Sequence, residues 1–158
     1  LGENRTFAQG DINGDGLDDA IIGSATWGGT GYTSVTYGPA SGDIDVASTD
    51  IMITGATRSM GFGSGPSAKD LDKDGFADLL VGAYSESGGI GGAYLFWSMA
   101  SGTYTSADAD ANFVGDTGDS AGMNTGMGDL NGDGWADLAI GAYTHGGWGS
   151  VYGMFDFQ

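Results

Sequence analysis

Three copies of one nine-residue acidic pattern, set at a fixed interval, limit what this chain can become. Asp11-Ile12-Asn13-Gly14-Asp15-Gly16-Leu17-Asp18-Asp19, Asp70-Leu71-Asp72-Lys73-Asp74-Gly75-Phe76-Ala77-Asp78 and Asp129-Leu130-Asn131-Gly132-Asp133-Gly134-Trp135-Ala136-Asp137 all read D-x-[DN]-x-D-G-x-x-D. Asp11, Asp70 and Asp129 stand 59 residues apart in both steps. An identical period over two intervals marks an internal repeat. It is too long for a leucine-rich or ankyrin unit and close to one four-stranded propeller blade with generous loops.

The pattern places oxygen donors at positions 1, 3, 5 and 9 of each loop. These are Asp11, Asn13, Asp15 and Asp19, then Asp70, Asp72, Asp74 and Asp78, then Asp129, Asn131, Asp133 and Asp137. A hard cation such as calcium needs that set, completed by a backbone carbonyl and water. The carbonyls of Leu17, Phe76 and Trp135 at position 7 supply the former, leaving those side chains free to pack inward. Glycine at position 6 takes the positive φ of the turn at little cost. Three calcium ions are therefore expected. EF-hands and dockerins share the opening of the pattern but need an acid at position 12 and a following helix. Here position 12 is Ile22, Val81 or Ile140, within β-branched runs closed by glycine, which excludes both. Thrombospondin-type calcium repeats fall because they have shorter periods and cysteines.

The formal charge is −17, from 21 acids against 4 bases. Nucleic acid is excluded as a partner by that sign. The proposed ligands supply 10 of the 21 acids, and three calcium ions would bring −17 to −11. Unscreened carboxylates this close repel, so the fold is expected to depend on the ion. There is no cysteine, so metal rather than disulfide must do the stapling. No apolar run is long enough for a membrane span. The chain opens at Leu1 without a basic leader, as expected of a processed product or part of something longer. Sites of this kind fill where calcium is millimolar, which points outside the cell.

Short apolar runs closed by glycine follow each loop: Ala20-Ile21-Ile22-Gly23, Leu79-Leu80-Val81-Gly82-Ala83-Tyr84 and Leu138-Ala139-Ile140-Gly141-Ala142-Tyr143. They read as buried strands. Second strands follow at 32–37, 91–97 and 149–155, and third strands at 51–55 and 111–115, with no third copy of the last. Residues 41–50 and 98–110 read as polar loop.

Phe62-Gly63 before the second loop and Val81-Gly82-Ala83-Tyr84 after it complete a longer pattern. It resembles the FG-GAP repeat of integrin-α-type β-propellers, above all the long-repeat bacterial extracellular kind. The resemblance implies an all-β fold of four-stranded blades in which calcium rigidifies the hairpin joining the first two strands. Blades are expected at about 1–55, 56–115 and 116–158, the last lacking its outer strand. Glu3-Asn4 and Ala121-Gly122 replace Phe-Gly in the first and third copies, and Ser24-Ala25 and Ala83-Tyr84 replace the final Ala-Pro.

Three blades cannot close a ring, and an open arc exposes sheet faces and edges that invite pairing. The chain is thus part of a longer propeller, or half of a closed dimer, or a unit of a filament. The expected function is a calcium-stabilised extracellular structural or adhesive module, with copies of itself as partner. A glycan- or protein-binding adhesin fragment is the alternative, and an enzyme carrying these repeats as a non-catalytic part ranks below both. His145, the single histidine, reads as an exposed loop residue; no G-x-S-x-G elbow accompanies it. Met60, Met123 and Met127 read as packing residues. Trp27, Tyr84, Tyr143 and Trp148 fall at equivalent strand ends, on one rim, as packing or a sugar-stacking surface. Asn4-Arg5-Thr6 is a glycosylation sequon.

Overall fold

The computed structural model describes residues 4–26, 29–58 and 61–155. Their strands are β1 (Asn4–Gly10), β2 (Asp19–Ala25), β3 (Tyr32–Thr36), β4 (Ile51–Thr54), β5 (Phe62–Lys69), β6 (Asp78–Ala83), β7 (Gly92–Phe96), β8 (Gly102–Thr105), β9 (Ala111–Val114), β10 (Ala121–Gly128), β11 (Asp137–Ala142) and β12 (Ser150–Met154). They form three sheets, ordered β1-β2-β3-β4-β8, β5-β6-β7-β9 and β10-β11-β12. Each of the three repeats contributes one antiparallel meander, and each acidic loop joins its first two strands. This is the all-β propeller-blade architecture expected from the repeat.

One strand was not expected. Residues 98–110, read as polar loop, contain β8, which pairs in parallel with β4 from Ile51↔Gly102 to Thr54↔Thr105. The second repeat thereby covers the outer edge of the first, and the Tyr104 ring packs against the core between the two sheets. Gly-Thr-Tyr-Thr has little apolar alternation of its own. Its conformation comes from the unpaired N–H and C=O groups that β4 offers.

The core lies between the sheets in two layers. Ile21, Val35, Ile51 and Ile53 of the first sheet meet Phe62, Leu79, Val81 and Phe96 of the second. Leu80, Ala93 and Leu95, on the opposite face of the second, meet Ala121, Leu138, Ile140 and Ala142 of the third. Every residue of β6 is therefore buried, whereas β2 and β11 each leave residues only partly covered. Alternation along a strand sends successive side chains to opposite faces. In β6 both faces are roofed by another sheet.

Backbone contacts hold the sheets this close. Gly23 and Gly82, 59 residues apart, receive the carbonyls of Gly63 and Gly122 from the next sheet. A Cβ would lie 2.2 Å from the first oxygen and 1.8 Å from the second. The donor glycines sit at register shifts in β5 and β10, where a bulge carries their carbonyls out of the ladder. Gly141 is the third member of the set, and a Cβ there would meet only Asn124 of its own sheet, at 3.3 Å. Gly82→Ala should therefore cost several kcal/mol, on the order of ~3, because backbone must move. Gly141→Ala should cost under ~1 kcal/mol. Urea denaturation of both variants checks the contrast; equal losses would overturn it.

Candidate metal centres

The three loops fold in one way. In each, the backbone N–H of position 5 donates to side-chain oxygens of positions 1 and 3: Asp15 to Asp11 and Asn13, Asp74 to Asp70 and Asp72, Asp133 to Asp129 and Asn131. The glycine N–H at position 6 donates to the other oxygen of position 1. The N–H of Leu17, Phe76 or Trp135 donates to position 5. Gly16, Gly75 and Gly134 hold φ of 86°, 95° and 87°, the turn that position 6 was expected to make. Asn13 and Asn131 also use their amide N–H groups to reach the carboxylates of Asp15 and Asp133.

The position-9 aspartates behave differently. Asp19, Asp78 and Asp137 are fully buried. One oxygen of each accepts the N–H of position 2, from Ile12, Leu71 or Leu130. The second oxygen of Asp19 accepts from Gly38 and that of Asp78 from Ser98, both just beyond the third strand-turn of their sheets. These carboxylates thus tie loop, second strand and third strand together. The second oxygen of Asp137 has no hydrogen-bond partner among the described residues. Burial pushes Asp78 up to about 6 against the hydrogen bonds that favour its charged form, and burial likewise raises Asp19.

In the second loop Asp70, Asp72 and Asp78 each bring a carboxylate oxygen within 4.8 Å of the others. Three negative groups at that spacing, one of them buried, suit a divalent cation, which would supply the missing positive charge. Asp74 lies outside this triple; its free oxygen takes the Ser98 hydroxyl at 2.7 Å, and that bond holds its carboxyl below the usual range. No triple of acidic side chains forms in the first and third loops, among the described residues, where position 3 is Asn13 or Asn131. Their donor sets mix amide and carboxylate oxygens, which the same cations also accept.

The position-7 side chains do not pack inward as expected. Leu17 is 46% exposed and Phe76 is 40% exposed. They run sideways along the rim instead. The Phe76 ring lies on Gly14, so that a Cβ there would be 2.7 Å from it. Trp135 lies under Lys73, whose ammonium sits 3.7 Å from the ring centroid. Gly14 and Lys73 are both position 4 of the preceding loop, so each loop rests on its neighbour through the same two positions. The Ala77 N–H adds a bond to the Asp11 carbonyl at 2.7 Å.

His145 is not simply an exposed loop residue. Its Nδ1 lies 2.8 Å from Oδ1 of Asp119, which is buried and also accepts the Tyr152 hydroxyl. That hydroxyl bond lowers the Asp119 carboxyl and, in return, pushes Tyr152 up to about 12. In the second repeat the Tyr94 hydroxyl donates instead to Glu86, in the turn before β7. Asp119 carries no motif, and only the chain reversal before β10 brings it to His145. Met127 packs on the second core layer as expected. Tyr143 and Trp148 are exposed, while the Tyr84 ring covers Gly61; Trp27 and Met60 lie outside the described residues.

Asp19→Ala should leave two backbone N–H groups buried without an acceptor, and should cost roughly 2–4 kcal/mol even with cations chelated. Asp18→Ala, at an exposed neighbour, should cost far less. Thermal unfolding in EDTA reads the difference, and equal losses would show that Asp19 acts only as a metal ligand.

The FG-GAP-like repeat family profile matches residues 70–140. Integrin alpha-5 of Xenopus laevis is 32% identical over 146 residues, covering 84% of this chain and 14% of that protein. Integrin alpha-7 of Rattus norvegicus is 32% identical over 97 residues, 59% of this chain and 8% of its own length. Integrin alpha-6 of Gallus gallus is 34% identical over 112 residues, 64% of this chain and 10% of its own length. The chain thus spans a small part of each relative. With the sheets and loops described above, these matches make the chain an FG-GAP-type repeat protein of the integrin-α kind.

Proposed function

We propose that this chain is a calcium-stabilised, extracellular adhesion-type propeller module that associates with copies of itself. One observation carries the reading: a single loop geometry, built on the same oxygen donors, recurs three times along one rim. At the second loop Asp70, Asp72 and Asp78 converge enough to share a cation. Asp70, Asp72, Asp74 and Asp78 with the Phe76 carbonyl would hold the second calcium. The corresponding residues of the other loops would hold the first and third. The ion supplies positive charge and cross-links, and the chain's residues fix the loops, align the hairpins and present the blade faces. No catalytic step is assigned to it. A glycan-stacking surface is the second reading, supported by Trp148, which is 98% exposed beside Tyr143. Glycan-array binding by monomeric protein would favour it.

Native mass spectrometry should find three calcium ions per chain. Asp74→Ala and Asp133→Ala should each remove one and lower stability by several kcal/mol, on the order of ~3. Unchanged stoichiometry would sink the assignment. The pH dependence has a definite sign. Calcium needs the Asp78 carboxylate deprotonated, so affinity at that site should fall as pH drops through about 6. Because burial raises the folded-state value above the unfolded one, the cation-free protein should gain stability over the same interval. Calorimetric melting between neutral and mildly acid pH, with calcium and with EDTA, should show opposite trends.

A further inference from the structure

The acidic loops contain five Asn-Gly or Asp-Gly pairs: Asn13-Gly14, Asp15-Gly16, Asp74-Gly75, Asn131-Gly132 and Asp133-Gly134. Such pairs are chemically labile. Glycine has no side chain to keep its own nitrogen away from the carbonyl carbon of the side chain before it. Attack of that nitrogen closes a five-membered imide. A neutral carboxamide is attacked more readily than an ionised carboxylate, so the two asparagines are the sensitive members. Each stands at position 3 of its loop.

The two loops hold these side chains in the same way. Asn13 Oδ1 accepts the Asp15 N–H at 3.0 Å, and its Nδ2 donates to the Asp15 carboxylate at 3.0 Å. For Asn131 and Asp133 the two distances are 2.9 and 3.0 Å. The glycines that follow have similar backbones, with φ of 71° at Gly14 and 84° at Gly132. What separates the loops is the nitrogen that must attack. The Gly132 N–H donates to Oδ1 of Asp129 at 2.6 Å. In the Asp-Gly pairs the N–H groups of Gly16, Gly75 and Gly134 are likewise held by the position-1 carboxylate. The Gly14 N–H has no acceptor among the described residues. The Phe76 ring lies where a Cβ of Gly14 would stand and offers that N–H no oxygen. A nitrogen that loses its proton while facing a carboxylate becomes an anion beside an anion, which like-charge repulsion opposes. Gly14 alone of the five glycines meets no such carboxylate at bonding distance among the described residues.

We propose that Asn13 is a deamidation site, and that its conversion gives the first loop the donor set of the second. The Gly14 nitrogen gives its proton to hydroxide and bonds to Cγ of Asn13. The Cγ–Nδ2 bond breaks, and the amide nitrogen leaves as ammonia with a proton from water, which restores the hydroxide. Water then opens the imide at one of its two carbonyls, leaving aspartate or isoaspartate at position 13. The net change consumes one water and releases one ammonia. The aspartate product carries carboxylates at positions 1, 3, 5 and 9, as Asp70, Asp72, Asp74 and Asp78 do. It also loses the Nδ2 donor to Asp15, so that without a cation two carboxylates face each other. Isoaspartate instead adds a methylene to the backbone of the loop and shortens the arm that carries the carboxylate. The effect on calcium rests on the cation reading above; the reactivity of Asn13 does not.

Incubation of the full chain in EDTA at mildly alkaline pH, followed by peptide mapping with mass spectrometry, tests the site. The peptide containing Asn13 should gain the mass of deamidation severalfold faster than the one containing Asn131, with isoaspartate among its products. Asn131 is the more exposed of the two, so exposure alone predicts the reverse order. In urea the two rates should become equal, since each asparagine then meets only its own glycine. Reaction at Asn131 as fast as at Asn13 in the folded chain, or a difference that persists in urea, would overturn the site. Calorimetry on Asn13→Asp, which makes the aspartate product directly, reads the consequence. It should bind calcium at the first loop severalfold more tightly than the parent, as an added carboxylate ligand does. Unchanged affinity would overturn the change of donor set while leaving the reactivity of Asn13 standing. Absence of calcium binding at every loop would overturn the cation reading itself.

Discussion

The approach of a carbonyl to a glycine across neighbouring sheets is the contact on which the arrangement depends. Face-to-face sheets ordinarily stand about 10 Å apart because side chains fill the space between them. At Gly23 and Gly82 the backbones meet with nothing between. The bulges in β5 and β10 exist at those places and release the Gly63 and Gly122 carbonyls from the ladder. Once the sheets are pinned there, the apolar side chains around them fall into two closed layers.

The acidic loops are a second system, joined to the first through the buried position-9 aspartates. Asp19 and Asp78 accept N–H groups from their own loop and from the chain beyond the third strand, so loop and sheet move as one body. Along the rim, position 7 of one loop lies on position 4 of the loop before. Carboxylates concentrated in this way repel, and the chain as a whole is at −17. A cation held at these loops would offset that repulsion, whereas the apolar layers carry no charge to respond to it.

Much of this was legible in the residues. The period of 59 and the β-branched runs closed by glycine are signals in the sequence, and each produced the element it implied. What escaped was decided at a distance. β8 carries no pattern and exists because β4 had an open edge. The Asp119, His145 and Tyr152 group joins residues of three different segments. Phe76 and Trp135 turn sideways because a glycine or a lysine of the preceding loop lies there to receive them.

The sequence by itself determined the repeat, the composition of the loops and the strands that follow them, because hydrogen-bonding turns, alternation and ligand spacing act within a few residues. The tertiary structure alone decided which strand faces were closed, which carboxylates converged and which surfaces stayed open. Those outcomes depend on how one repeat is laid against the next. Gly23, Gly82 and Gly141 stand at equivalent places in three similar strands. Two lie under a neighbour's carbonyl and the third faces open space, a difference set by position along the stack.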